Sequence, residues 1–181
     1  MRHLSIVALL FVLTSCASAP SLDYYTIDMT PSGVGGESVN LAVGRFAVSD
    51  KLDRHQIVIQ ESPTRIGYYA TDRWASSIGE LVGHKLAAEF GPVDGALRSL
   101  IVEGRIVAFE QVDTAAGPVA KAGLDVTIRE GESMRYEEPL LEKSYVVERP
   151  ASGNSVDAVV QALSRALEEI AAEIAADAAE L

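Results

Sequence analysis

Apolar positions in this chain change their spacing several times, and the changes divide it into elements. Residues 4–13 form an almost unbroken apolar run behind Arg2 and His3, closed by Thr14-Ser15-Cys16. From 17 to 36 Ser, Pro and Gly dominate, and no hydrophobic period is visible apart from Leu22-Asp23-Tyr24-Tyr25-Thr26-Ile27. That stretch reads as a flexible tether with one adhesive element, which either adds an edge strand or lies in a groove on a sheet, since aromatic and β-branched residues suit a pleated, half-buried surface. Alternation begins at 39–48, where Val39, Leu41 and Val43 fall on one side and predict a first core strand. Two shorter strands follow at 56–60 and 65–70, with Glu61-Ser62-Pro63-Thr64 as the hairpin loop between them.

Trp74, Ile78, Val82, Leu86 and Phe90 then recur at every fourth residue, and Leu81 widens the stripe. The spacing predicts a helix capped by Thr71 or Asp72, with Arg73, Glu80 and Glu89 off its buried face and Gly91-Pro92 as its stop. Strands are predicted at 99–112, 118–129 and 142–149. In the middle one Ala120, Ala122, Leu124, Val126 and Ile128 share one face while Lys121, Asp125, Thr127 and Arg129 share the other, so one side is buried and the other wet. A last helix runs from Asn154 or Ser155 to about Ala178, its stripe formed by Val156, Val160, Leu163, Leu167, Ile170 and Ile174, with an Ala-rich end left to project toward a neighbour. The order β-β-β-α-β-β-β-α predicts one α+β domain over 37–181, built on a largely antiparallel sheet with two helices packed on one face.

The apolar run at the start stops at about half of the ~20 residues that a bilayer-spanning helix needs. With its short polar start and small-residue end it has the layout of a removable secretory leader, 1–15. Leu13-Thr14-Ser15-Cys16 resembles the bacterial lipobox. The resemblance implies cleavage between Ser15 and Cys16 and a diacylglycerol on the Cys16 sulfur, usually with another chain on its amine. Residues 16–36 then form a lipidated tether. Each buried methylene adds ~0.8 kcal/mol, so two or three chains anchor a protein far more firmly than one. The alternative is an ordinary secretory signal with a stray cysteine.

Removal of the leader leaves 166 of 181 residues, enough for one domain with a proper core. It takes away one of 15 basic residues and none of 26 acidic ones, leaving 14 against 26, a net −12. That balance argues against nucleic acid and against broad electrostatic contact with anionic lipid. Cys16 is the only cysteine, so there is no disulfide framework.

Candidate chemistry is sparse. His55 and His84 are the histidines outside the leader. Glu80 and His84 stand one helical turn apart, but a zinc site generally takes three or four ligands, and the pair reads as a solvated ion pair. Glu130, Glu132, Glu137 and Glu138 fall between strands and read as solvated charge. Gly33-Val34-Gly35-Gly36 follows no strand and opens no helix, so it reads as linker rather than phosphate cradle. No nucleophile elbow is present. The chain predicts no enzyme, no cofactor and no metal. Tyr24, Tyr25 and Trp74 are the candidates for contact with a partner or lipid, although Trp74, in register with Ile78 and Val82, reads as core first.

Three stretches carry a wider resemblance: Tyr24-Tyr25-Thr26-Ile27 shortly after the cysteine, Leu52-Asp53-Arg54-His55-Gln56-Ile57-Val58, and Tyr68-Tyr69-Ala70-Thr71-Asp72-Arg73-Trp74-Ala75, followed by the strand meander and the closing Ala-rich helix. In order and spacing the chain resembles the ABC-type transport auxiliary lipoproteins, the group that includes the paraquat-inducible protein C lipoproteins associated with MCE-domain lipid transporters. His55 stands where that pattern has proline, and Ser76-Ser77 where it has an acidic residue and proline, departures that touch subfamily and partner choice. The resemblance implies a non-enzymatic component of a Gram-negative envelope, working beside an MCE-domain protein, a permease and an ATPase to move lipid between membranes. Ala17 after the cysteine, in place of an aspartate, favours the inner leaflet of the outer membrane. The exposed polar sheet face or loops are then the expected docking surface, and a homo-oligomer is left open. Two other classes compete with this reading: a stand-alone structural or assembly lipoprotein, and a periplasmic hydrolase using carboxylates or His84.

Overall fold

The structure is a computed structural model and describes residues 20–33, 39–92, 95–96, 98–131 and 138–181. Its strands are β1 (Asp23–Tyr25), β2 (Val39–Val48), β3 (Gln56–Ser62), β4 (Arg65–Trp74), β5 (Arg98–Thr114), β6 (Gly117–Glu130) and β7 (Leu141–Pro150). Its helices are α1 (Ile78–Phe90) and α2 (Val156–Ala179), and a short 3-10 turn, Asp50–Leu52, follows β2. The α+β class, the single domain and the two helices agree with the reading of the sequence.

The sheet is mixed rather than largely antiparallel. β5, β6 and β7 form an antiparallel meander, and β3 and β4 an antiparallel hairpin. β1 runs parallel to β4, and both β2 and β3 run parallel to β5. The cause lies in β5, whose 17 residues give one edge room for two partners in succession. β2 lies along Arg98–Ile106 and β3 along Glu110–Val112, with the 3-10 turn between them. Parallel neighbours need a crossover connection, and β2 reaches β5 only after β3, β4 and α1.

The predicted alternation of β6 holds. Ala120, Ala122, Leu124, Val126 and Ile128 are buried. The opposite face carries Lys121 bound to Glu148 at 2.8 Å, Arg129 to Glu103 at 3.6 Å, and Ser144 Oγ donating to Asp125 at 2.6 Å. α1 packs on β2 and α2 on β6 and β7, and one hydrophobic cluster joins them. Ser155 caps α2, its oxygen accepting from the Ala158 N–H at 3.2 Å. The Ala-rich end of α2 does not project: Ala171, Ile174, Ala175 and Ala178 are buried, because small side chains let that turn lie close on the sheet.

α1 begins later than its apolar period suggests. Ser77 is the cap, accepting from the Glu80 N–H at 3.3 Å, and Trp74 ends β4. Trp74 is nevertheless core, 2 % exposed, with its ring 5.6 Å from that of Phe109. Strand and helix bury it equally, so its spacing with Ile78 extends the apparent helix across a real boundary. At the other end Gly91, with φ at 57° and ψ at 170°, takes a positive-φ conformation that glycine adopts readily, and this stops the helix.

The stretch expected as a tether is fixed in its described part. β1 pairs with β4 over Asp23–Tyr25. Ile27 and Met29 are then 1 % and 4 % exposed. The Asp28 N–H donates to Ser164 Oγ of α2 at 3.0 Å, and Lys85 Nζ of α1 donates to the Met29 carbonyl at 3.5 Å. Glu89, expected on the outer face of α1, is buried and holds Ser32, accepting from its N–H at 3.0 Å and from its hydroxyl. Residues 27–32 therefore strap α1 to α2.

Candidate functional site

Cys16 and Ser15, the expected lipid attachment and cleavage positions, lie outside the described residues, as do Glu132 and Glu137. Of the three contact candidates, Tyr24 stands out on the surface at 64 % exposure, Tyr25 is half-buried and Trp74 is core. Tyr25 belongs to a joint between β1 and β4. Burial pushes its phenol up to about 12, helped by a hydrogen bond to Asp72 and by that carboxylate's charge. The Tyr25 carbonyl accepts from the Ala75 N–H at 2.8 Å.

The two other stretches quoted for the family resemblance meet at this joint. Between Tyr68 and Arg73 β4 breaks register with β3. The Arg73 guanidinium pins the break, donating to the carbonyls of Tyr69, Asp72 and Ala70 at 2.9, 3.1 and 2.8 Å. Arg54 lies 4.2 Å above the Tyr68 ring, and the Trp74 N–H donates to the His55 carbonyl at 2.7 Å. The Tyr69 hydroxyl donates to Gln111 at 2.7 Å, and Gln111 to Asp113 at 2.6 Å. The Tyr69 phenol is raised by burial and by the charges of Asp113 and Asp72, against a lowering by Gln111. Beside it Lys51 pairs with Glu110 at 2.6 Å, and Glu110 is only 1 % exposed. These residues build a rigid corner between β1, β3, β4 and the 3-10 turn.

The second feature is a groove of about 460 Å³ between β2 and α1, lined by the β2 residues 43–48, by Asp53 and by Ser77, Gly79, Glu80, Gly83, His84 and Ala87. It continues into a smaller hollow of about 130 Å³ bounded by Val48, Leu52, Arg54, His55 and Ile78. Ser77 and His55, the positions singled out as departures from the family pattern, both line it. Glu80 and His84 are exposed on its helical wall. Among the described residues no three His, Cys, Asp or Glu side chains converge as a metal site. A shallow polar cleft on the opposite sheet face is lined by Arg105, Asp125, Thr127, Glu142 and Ser144. No described helix is long and apolar enough to cross a membrane.

The groove was not legible beforehand. Its strand and helix are distant in sequence, and Gly79, Gly83 and Ala87 show only as small residues until a strand edge faces them.

Several solved structures share the fold, two of which serve as examples. One, a protein described only as uncharacterized, is 15 % identical with a TM-score of 0.67, covering 87 % of this chain and 99 % of its own. The other, XCC0632 from Xanthomonas campestris, is 17 % identical with a TM-score of 0.69, covering 85 % and 92 %. No curated protein sequence matches the chain. A family model described as the ABC-type transport auxiliary lipoprotein component matches residues 25–175.

Proposed function

Because the chain belongs to the ABC-type transport auxiliary lipoprotein family, we propose that it is a non-enzymatic accessory of an ABC/MCE-type system that carries lipid between the inner and outer membranes. In this reading residues 1–15 are removed, Cys16 carries the lipid anchor, and the domain faces the periplasm from the inner leaflet of the outer membrane. Its partners are an MCE-domain protein, a permease and an ATPase. The single observation that carries the reading is the family match over 25–175, which begins shortly after the cysteine and takes in the joint from Tyr25 onward, α1 and most of α2.

The polar sheet face adds support. Its charges are mostly paired across neighbouring strands, as in Lys121–Glu148 and Arg129–Glu103. Such pairs contribute little to stability when exposed, and they leave that face suited to a polar protein contact rather than to a lipid surface.

The test is co-purification in mild detergent from cells expressing the lipoprotein at its native level. Recovery of an MCE-domain protein together with a permease or ATPase is expected. Recovery of the lipoprotein alone, or with peptidoglycan or an unrelated envelope assembly, overturns the proposal in favour of a stand-alone structural lipoprotein.

A further inference from the structure

Among the described residues six large apolar side chains are exposed, and isolated ones are ordinary on a protein surface. Ile66, Leu140, Val146 and Leu181 lie apart, on β4, ahead of β7, on β7 and at the chain end. Leu22 and Tyr24 instead stand two residues apart, 46 % and 64 % exposed. The alternation that turns Tyr25 and Ile27 toward the core turns these two away from it. Neither belongs to the hydrophobic cluster or is packed against it, so the fold does not require a leucine and a tyrosine there.

The charges beside them differ from those of the polar sheet face on β5 to β7, where acids and bases pair. Tyr24 stands in register with Arg73, and Arg73 with Gln56. Arg73 donates to three carbonyls and Arg54 lies over the Tyr68 ring. Among the described residues neither arginine forms an ion pair with a carboxylate. The nearby acids are turned elsewhere: Asp23 and Asp72 pair in register on the opposite side, with Tyr25, and Asp53 lines the β2–α1 groove. An apolar side chain and a tyrosine ring beside two such arginines suit a bilayer interface, where the ring sits at headgroup level and a guanidinium meets lipid phosphate.

The length of chain ahead of β1 selects this occupant over a protein. Leu22 is six steps from Cys16, at most about 22 Å at ~3.3–3.6 Å per step, and residues 16–22 carry no charge. With acyl chains on Cys16, Leu22 stays within reach of the headgroups whatever path the chain takes. A protein bound to Leu22 and Tyr24 would have to enter between the domain and its own membrane.

We infer that Leu22 and Tyr24 dip into the lipid interface beside the anchor, with Arg54 and Arg73 over the phosphates, and so hold the domain in one orientation on its membrane. This contact presupposes the Cys16 anchor proposed above.

The test places the purified, acylated lipoprotein in vesicles of phosphatidylethanolamine and phosphatidylglycerol that carry a nitroxide on a fraction of their headgroups. An acylated Cys16 takes no thiol reagent, so an environment-sensitive fluorophore enters only at Tyr24→Cys or, as a control, at Val146→Cys on β7, about 24 Å of sheet away at ~4.8 Å per strand. Blue-shifted emission and about threefold quenching are expected at position 24, with little of either at 146. Leu22→Asn should cut the quenching at 24 about twofold without moving the melting temperature, because position 22 is exposed. In the cell envelope, the photo-crosslinking residue benzoyl-phenylalanine in place of Tyr24 should capture lipid. Absence of quenching at 24, equal quenching at both positions, insensitivity to Leu22→Asn, or capture of a protein at position 24 overturns the inference. If position 24 is unquenched while the protein stays on the vesicles, the interfacial contact falls and the anchor stands. If the unsubstituted chain takes up fluorophore at Cys16, the anchor reading falls, and the crosslink decides the contact alone: lipid at position 24 upholds it and its absence overturns it.

Discussion

Asp177 ties the last turn of α2 to β7, accepting from Lys143 Nζ at 2.6 Å and from the Tyr145 hydroxyl at 2.5 Å. The Lys143 bond, then the Tyr145 bond, hold its carboxyl below the ordinary 3.8, against a smaller opposing effect of burial. Burial and the bond to Asp177 push the Tyr145 phenol well above its usual range. A carboxyl whose folded pKa is depressed contributes stability that is fully present above its unfolded value and is lost as pH falls through the folded one. Urea melts between pH 7 and pH 2.5 should therefore show Asp177→Asn less stable than the parent at neutral pH, with the gap closing below about pH 3.8. A gap of constant size would mean that the loss is one of packing. Other side chains at this scale could not be placed from their neighbours. Glu89 has the spacing of a solvated helix residue, and only a partner 57 positions away, Ser32, makes its burial tolerable. Trp74 reads as core by composition in either element, which is why its burial was legible while its element was not.

The segment from β1 through residue 32 behaves as an element although it has little regular structure. It adds a parallel strand to β4, sends Ile27 and Met29 into the core and bonds to both helices. Truncating a fully buried apolar side chain costs about 2–5 kcal/mol, so Ile27→Ala and Met29→Ala should each lower the unfolding free energy by that order. Tyr24→Ala, at an exposed position, should leave it within about 0.5 kcal/mol. Chemical denaturation of the three variants checks this, and a null effect for Ile27→Ala would restore the flexible tether. Elements with a long unbroken period were legible from the chain, as in β6 and α2, where alternation or a helical stripe persists over many residues. The strap was not, because Ser, Pro and Gly around two apolar residues look like a linker until α1 and α2 stand on either side. Strand direction was hidden for a related reason: alternation says which face a residue occupies and is silent about which neighbour its backbone meets.

For the whole molecule, the joint at β1 sets how far the domain stands from its proposed anchor. The seven residue steps from Cys16 to Asp23 span at most about 25 Å, at ~3.3–3.6 Å per step. Cys16→Ser should leave the domain folded, with an unchanged melting temperature, and move it from the membrane fraction to the soluble periplasmic fraction. Tight membrane association of that variant would sink the lipid-anchor proposal. The chain by itself determined the α+β class, the position of nearly every strand and helix, the wet and dry faces of β6 and the family. Each of these is carried by local periodicity and capping, or by short stretches in a fixed order, and needs no knowledge of what lies across the molecule. Only the tertiary structure decided the mixed sheet, the strap between α1 and α2 and the groove beside β2. Each depends on which distant segments share an edge, and pairing of that kind is settled by the fit of whole surfaces and the closure of long loops rather than by the residues next in line.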